Sequence, residues 1–266
     1  MASRAGAADR RQTVQSAGFG LMVLKGLAAM GGAASLSALA RDLGENPAKL
    51  HRYLASLKEA GFVAQDEAGG RYVLGEAALA VGLAAMRQIN VLNVAPAELA
   101  ALTETHNVAS FVAVLGNRGP TIMRWEEPMQ PVTVNVRVGS VLPILWSATG
   151  RAFAASMKSA LLDSLIRDEL AGASPARRKL IGDARAVEAM LAQVREAGCA
   201  AIRDTLLGGV SAVAAPILDF SGRVAAVMTA LGTTSEIDAD PRSALARDVR
   251  ARCARISHAL GWRQAE

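Results

Sequence analysis

Between Ser35 and Leu74 the spacing of apolar positions changes twice. Leu36, Leu39, Ala40 and Leu43 recur at helical intervals, and Leu50, Leu54 and Leu57 do so again. Phe62-Val63-Ala64 and Arg71-Tyr72-Val73-Leu74 then read as two short strands. Ser35 caps the first helix and Gly44 stops it. Asn46 caps the second, and Pro47 takes the first helical position, where a missing N–H costs nothing. Gly61 ends that helix, and Glu67-Ala68-Gly69-Gly70 supplies the turn of the ribbon. Helix, tight turn, capped helix and ribbon, in that order, predict a winged helix-turn-helix. Upstream, Val14, Ala17, Leu21, Leu24 and Ala28 predict one more amphipathic helix, ended by Gly31-Gly32 and preceded by a flexible arm over residues 1–12.

Beyond Gly75 the helical period resumes through Leu79, Leu83 and Met86 to about Asn90, as a linker helix. A further helix spans Asn93 to His106, with Pro96 in its first turn. The period then shortens. Ser110–Gly116, Thr121–Trp125 and Thr133–Val138 read as strands, the first two joined by a turn over 117–120. Helices are expected at about 147–158, 160–170 and 183–197, strands at 210–218 and 223–231, and a closing helix from Pro241 to Leu260. Antiparallel strands with helices grouped at the ends and on one face indicate an α+β domain. The organisation is thus an arm (1–12), a winged-helix domain (13–75), a linker helix (76–91) and an α+β domain (92–266).

Composition narrows the function. Hydrophobic residues make up 52% of the chain but aromatics only 4%, so Ala, Leu and Val fill the cores. No window approaches 18 uncharged apolar residues, and the N-terminus lacks the apolar stretch of a signal peptide, so a cytoplasmic location is the default and no membrane partner is expected. Cys199 and Cys253 have neither metal-site nor disulfide spacing. Residues 1–75 hold nine Lys/Arg against six Asp/Glu, a net +3 of the total +5, which leans the basic charge toward the helix-turn-helix.

In such a motif the second helix enters the major groove and its early residues reach base edges. Lys49, His51, Arg52 and Ser56 face outward there and suit phosphate oxygens or base acceptors. Arg71 in the wing and Arg10 and Arg11 in the arm are candidates for phosphate or minor-groove contacts. A solvated face on an ordinary helix is the plainer alternative; the capped helix before it and the ribbon after it favour DNA.

Catalytic chemistry finds no support. His51, His106 and His258 have no acidic or cysteine partner at triad or metal-ligand spacing. GNRG (116–119) and GSVLP (139–143) lack a phosphate-loop setting. Asp163, Asp168 and Glu169 fall on what reads as a helix surface. No cofactor, metal or catalytic residue is therefore assigned. Ligand binding has a better case, because Ser147, Ala148 and Thr149 open a helix whose free N–H groups suit a carboxylate, and Trp146 offers an apolar wall. Trp146 reads equally well as a core residue.

Several stretches resemble IclR-family bacterial transcription regulators: SLSALARDLG, LHRYLASLKEAGFV and GRYVLG early on, then RVGSVLP with TGRAFAAS (137–156), REAG (195–198), AAPILDFSGRVAA (214–226) and RISHALG (255–261). The resemblance covers roughly residues 13–261. It implies a winged-helix DNA-binding domain, a linker helix and a GAF-like effector domain, assembled as dimers or dimers of dimers on palindromic promoter sites. It also implies an effector pocket at Ala148, Thr149, Ile202, Ala212, Thr229 and Leu231, taking a small organic acid. Where the family often places Asp, Cys and Ser in that pocket, this chain has Ile202, Ala212 and Leu231. Leu145-Trp146 replaces a common His-Ala pair, and Pro47-Ala48-Lys49-Leu50 replaces a Ser/Thr-rich start of the reading helix. The first two departures point to an aromatic or largely apolar acid; the third bears on the target sequence and not on DNA binding itself. The expected function is a DNA-binding, effector-responsive, homo-oligomeric regulator. Its rivals are a small-molecule enzyme using the winged helix as a protein-contact module and an effectorless DNA-packaging protein.

Overall fold

The computed structural model describes residues 14–66, 70–88, 90–129 and 136–263. The chain divides into two compact units, Met1–Gln88 and Ile89–Glu266.

The first unit runs α1 (Gln15–Ala29), β1 (Ala33–Ala34), α2 (Leu36–Leu43), α3 (Pro47–Glu59), β2 (Val63–Gln65), β3 (Tyr72–Leu74) and α4 (Glu76–Gln88). Capping follows the local chemistry. Ser35 Oγ accepts the Ala38 N–H at 3.2 Å, and Asn46 Oδ1 accepts the Ala48 N–H at 2.8 Å. Gly44, at φ 64°, takes the left-handed conformation that turns the chain sharply from α2 into α3. The ribbon gains a third strand that its sequence hid: the two-residue β1 pairs antiparallel with β3, giving the order β1-β3-β2.

Leu27, Leu39, Leu50, Leu54, Val63 and Tyr72 form the buried centre of this unit. The inward stripe of α1 differs from expectation. Phe19, Val23, Leu24, Gly26 and Leu27 face the core, so of the expected stripe Leu24 is kept, while Val14, Ala17, Leu21 and Ala28 are exposed. The helix has two apolar faces, and Gly26 lies on the one that meets α2. A Cβ there would come within 2.8 Å of Leu43 Cδ2, so the bare backbone lets α2 pack closely. In α4, Leu79, Val81 and Leu83 are exposed.

The second unit runs α5 (Val91–His106), β4 (Ala109–Gly116), β5 (Gly119–Glu126), α6 (Ala148–Ser156), α7 (Ala160–Ala171), α8 (Pro175–Ile181), α9 (Ala184–Ala197), β6 (Ala200–Arg203), β7 (Val210–Leu218), β8 (Val224–Thr233) and α10 (Ala244–Ala259). Its five strands form an antiparallel sheet in the order β5-β4-β8-β7-β6. The fold is α+β, with helices on both faces of the sheet and not on one. Phe111, Ala212, Ala214 and Leu231 face a core shared with α6, α7 and α9. Their neighbours Val112, Val213, Ala215 and Met228 face a second core under α5 and α10. This double covering explains why strands such as Ser110–Gly116 are apolar almost throughout: each side of the pleat is buried.

Other boundaries moved for local reasons. Asn90 Oδ1 accepts the Leu92 N–H at 3.0 Å, so α5 starts two residues earlier than expected and Pro96 lies inside it. The β4–β5 turn is tighter than four residues, since Gly116 pairs with Gly119. The strand expected at Thr133–Val138 falls largely outside the described residues; its described end is not a strand, and Val138-Gly139 forms a turn. The short elements α8 and β6 were not anticipated.

Candidate nucleic-acid interface and ligand cavity

The outward face of α3 carries the residues picked for DNA contact, but they are not equivalent. His51 and Arg52 are exposed, with no side-chain partner among the described residues. Lys49 is engaged. Its Nζ lies 3.0 Å from Glu45 Oε2 and 3.9 Å above the centre of the Phe19 ring. Phe19 in turn meets Tyr53 with ring centres 4.3 Å apart. Lys49 therefore helps hold α1 against α3, a role unreadable from its position on a polar helix face. Ser56 Oγ donates weakly to the Arg52 carbonyl, 3.4 Å away. Arg71 is exposed immediately before β3. Arg10 and Arg11 lie outside the described residues.

In the second unit a cavity of about 50 Å3 opens between the sheet and the start of α6. It gathers Ser147, Ala148, Thr149, Ile202, Ala212, Thr229 and Leu231, seven of the eight residues expected there, from segments up to 84 positions apart. Phe111, Val136, Leu142, Leu206, Leu207 and Val210 complete the lining. Among these described residues none is charged. The polar groups are hydroxyls already engaged: Thr149 Oγ1 lies 2.8 Å from Thr229 Oγ1, and Ser147 Oγ donates to the Pro143 carbonyl at 2.6 Å while accepting the Gly150 N–H at 2.9 Å. The Ala148 and Thr149 N–H groups have no acceptor among the described residues. Sites that enclose drug-sized ligands hold roughly 300–1,000 Å3, so an organic acid enters only if the lining moves.

Trp146 does not line the cavity. It is buried in the α6-side core, and the Arg177 guanidinium sits 5.0 Å from its ring centre. Its neighbours explain why. The Pro143–Ser147 loop is turned inward by Glu169 of α7, which accepts the Ile144 N–H at 2.5 Å and the Leu145 N–H at 2.8 Å. Arg151 Nε donates to the Leu145 carbonyl at 2.8 Å. Glu169, expected on a solvated helix surface, is thus a partly buried structural acceptor. Burial pushes its carboxyl above the usual range, against the pull of the two N–H groups and Arg177. Burial likewise lowers the Arg151 guanidinium below its ordinary value.

On the other side of the cavity Asp204 closes the 204–209 loop. Its Oδ1 accepts the Gly209 N–H at 2.7 Å and the Thr234 hydroxyl at 2.8 Å.

The histidines are less isolated than their spacing suggested. His106 Nε2 lies 3.0 Å from Asp248 Oδ2, and His258 meets Arg263. Arg252 joins Asp248 to Glu98, tying α10 to α5. Both cysteines are buried and free; burial pushes the Cys253 thiol up to about 12. Among the described residues no cluster of His, Cys, Asp or Glu could hold a metal ion, and no helix is long and apolar enough to cross a membrane.

Comparison with known proteins fits this layout. Residues 20–67 match the IclR helix-turn-helix domain, and residues 83–258 match the family described as bacterial transcriptional regulator IclR, C-terminal. The DNA-binding transcriptional repressor YiaJ of Escherichia coli is 27% identical over 255 residues, 96% of this chain and 90% of that protein. The HTH-type transcriptional repressor AllR of Klebsiella pneumoniae is 25% identical, across 91% of this chain and 88% of its own length. Among solved structures, Pseudomonas aeruginosa HmgR is 41% identical with a TM-score of 0.84, covering 95% of this chain and 100% of that one. Agobacterium tumefaciens repressor BlcR, at 20% identity and a TM-score of 0.77, shares the fold over 95% of this chain and 99% of its own. YiaJ and AllR are named as regulators of transcription, not as enzymes. The chain belongs to the IclR family of bacterial transcriptional regulators.

Proposed function

We propose that this regulator reads a pseudo-palindromic operator through paired copies of α3 in a homo-oligomer, and that an aromatic or otherwise largely apolar organic acid in the second unit modulates that binding. The observation that carries the ligand class is the cavity lining: apolar side chains, no charged group among the described residues, and at the start of α6 two lining residues, Ala148 and Thr149, whose N–H groups have no acceptor among the described residues. A dicarboxylate or a sugar acid would leave further polar groups unpaired in such a lining, which costs affinity. Two-fold pairing of α3 puts the half-sites about 34 Å or a multiple apart. The effector acts only to the extent that it prefers one spacing or tilt of those helices, passed through α4. The decisive experiment is footprinting on the DNA upstream of the protein's own coding region, with and without a panel of aromatic monocarboxylates. Protection that is symmetric and altered by a panel member supports the reading. Protection without sequence preference, fading steeply with salt, overturns it.

Two predictions belong to this reading. Arg52→Ala should weaken operator binding by about 1–3 kcal/mol if the guanidinium reads a base. If it touches phosphate, binding should fall on all sequences alike and the salt slope should drop by about one. Lys49→Ala, which frees Glu45 and Phe19, should instead lower the melting temperature of the first unit. Arg52→Ala binding that equals wild type on both measures removes Arg52 from the interface. In the cavity, Ala212→Leu fills space that is scarce, and it should reduce effector affinity about tenfold or more while operator affinity stays within about twofold. Unchanged calorimetric affinity for an effector found in the panel would place the ligand elsewhere.

A further inference from the structure

The Pro143–Ser147 loop belongs to no helix or strand, yet it ends in the residue that caps α6 and so fixes where the polar end of the cavity lies. Its side-chain hydrogen bonds are of two kinds. Ser147 and Arg151 bond to the carbonyls of Pro143 and Leu145, which ties the loop only to itself and to α6. Glu169 reaches across from α7 and accepts two consecutive N–H groups, those of Ile144 and Leu145. Among the described residues this is the loop's side-chain hydrogen-bond anchor to an element other than the adjoining α6.

We infer that Glu169 is a positioning residue for the cavity: by holding the Ile144 and Leu145 N–H groups it keeps the loop in the arrangement in which Ser147 caps α6 and Ala148 and Thr149 line the cavity. Two convergent N–H groups suit a carboxylate, which offers two acceptor oxygens in one plane. A neutral amide has a single acceptor for these two donors and would leave one of them unpaired. Burial raises the Glu169 carboxyl above its ordinary value, so its contribution to stability is full below the ordinary carboxylate value and is lost as pH rises through the raised one. Arg177 of α8 is the facing charge that offsets part of this, and Arg151 of α6 bonds the loop from its other side. The functional weight of the clamp rests on the cavity being a ligand site; whether the clamp exists does not.

Amide hydrogen exchange on the full chain tests it, comparing wild type with Glu169→Gln, Glu169→Ala and the control Arg167→Gly, which loosens α7 at an exposed position outside the core that holds the loop. Glu169→Ala should speed exchange at Ile144 and Leu145 on the order of tenfold to a hundredfold, the loss of two charge-assisted bonds, and should carry over to Ala148–Gly150. Glu169→Gln keeps one acceptor, so one of the two loop amides should stay protected and the other should exchange faster. Arg167→Gly should raise exchange in α7 and spare 144–150. Unchanged exchange at 144–145, or a change confined there that leaves 148–150 as in wild type, overturns the inference. If Glu169→Ala fails to fold, Glu169→Gln decides. Phenylacetate titrated into wild type and Glu169→Gln probes the link to ligand binding separately. Weaker binding in the variant supports the positioning role, and absence of binding to wild type counts against the proposed ligand class, the exchange result alone deciding the clamp.

Discussion

Gly150→Ala should destabilise the second unit by about 3 kcal/mol or more, a fall of roughly 6–12 °C in the melting temperature of a unit this size. The reason is backbone on backbone. A Cβ at Gly150 would overlap the Pro143 carbonyl oxygen and the Ile144 main chain, and neither is the far end of a flexible side chain that could swing aside. The Gly150 N–H is also the donor that Ser147 Oγ caps, so moving α6 outward to make room breaks that bond as well. Differential scanning calorimetry of the variant gives the answer directly. A melting temperature within about 1 °C of wild type would mean that α6 and the loop are not in contact at this residue.

The second large effect is expected at Arg252, which is only 8% exposed although it carries a full charge. Its Nη1 lies 3.0 Å from Glu98 Oε2 and its Nε 3.0 Å from Asp248 Oδ2, with Thr105 Oγ1 3.4 Å from Nη2. Arg252→Ala leaves two carboxylates facing a void between α5 and α10. Removing one member of a buried pair costs about 3–5 kcal/mol, and because both carboxylates retain some solvent contact, about 2–4 kcal/mol is expected here. Glu98 supplies the pH dependence. Hydrogen bonding from Arg255, followed by the charges of Arg255 and Arg252, holds its carboxyl below 4.5 against the opposing effect of burial. A depressed carboxyl stabilises the fold above its unfolded value and loses that contribution as pH falls through the native one. Wild type should therefore lose stability on acidification below about pH 4.5. Glu98→Gln should flatten that part of the profile, and Arg252→Ala should shrink it without removing it, since Arg255 remains. Urea denaturation across pH 3–7 measures all three; parallel profiles for wild type and Glu98→Gln would show that the network carries no such linkage.

The parts of this molecule that could be read in advance are those governed by near neighbours. Ser35, Gly44, Asn46 and Pro47 act on the residues beside them, so the helix-turn-helix was visible in full. The α1 stripe is ambiguous in the sequence because the helix has apolar residues on two faces, and the choice between them depends on packing against α2, where Gly26 meets Leu43, seventeen positions away. β1 is two residues long and exists only through pairing with β3, so it leaves no pattern of its own. α8 carries a local cue in the Ser174 cap before Pro175, but it is only seven residues long and leaves little periodicity. At the cavity, Ser147 and Thr149 followed from the start of a helix, whereas Ile202, Ala212, Thr229 and Leu231 came from family resemblance, since strand register and not spacing brings them together. Phe111, Leu206 and Val210 had no cue of either kind. Glu169 was missed because its partners are main-chain amides, which look alike in every sequence, and His106 because Asp248 lies 142 residues on.

The missing side chain at Gly150 also limits how the chamber beside it can breathe. Where two main chains touch, sliding or parting one from the other disturbs both, so that flank behaves as a fixed jaw. The opposite flank, Leu206 and Leu207, hangs on a short span fastened at its root by Asp204. Parting that span from the sheet breaks hydrogen bonds, chiefly those of Asp204, and leaves the main-chain contact at the other jaw intact.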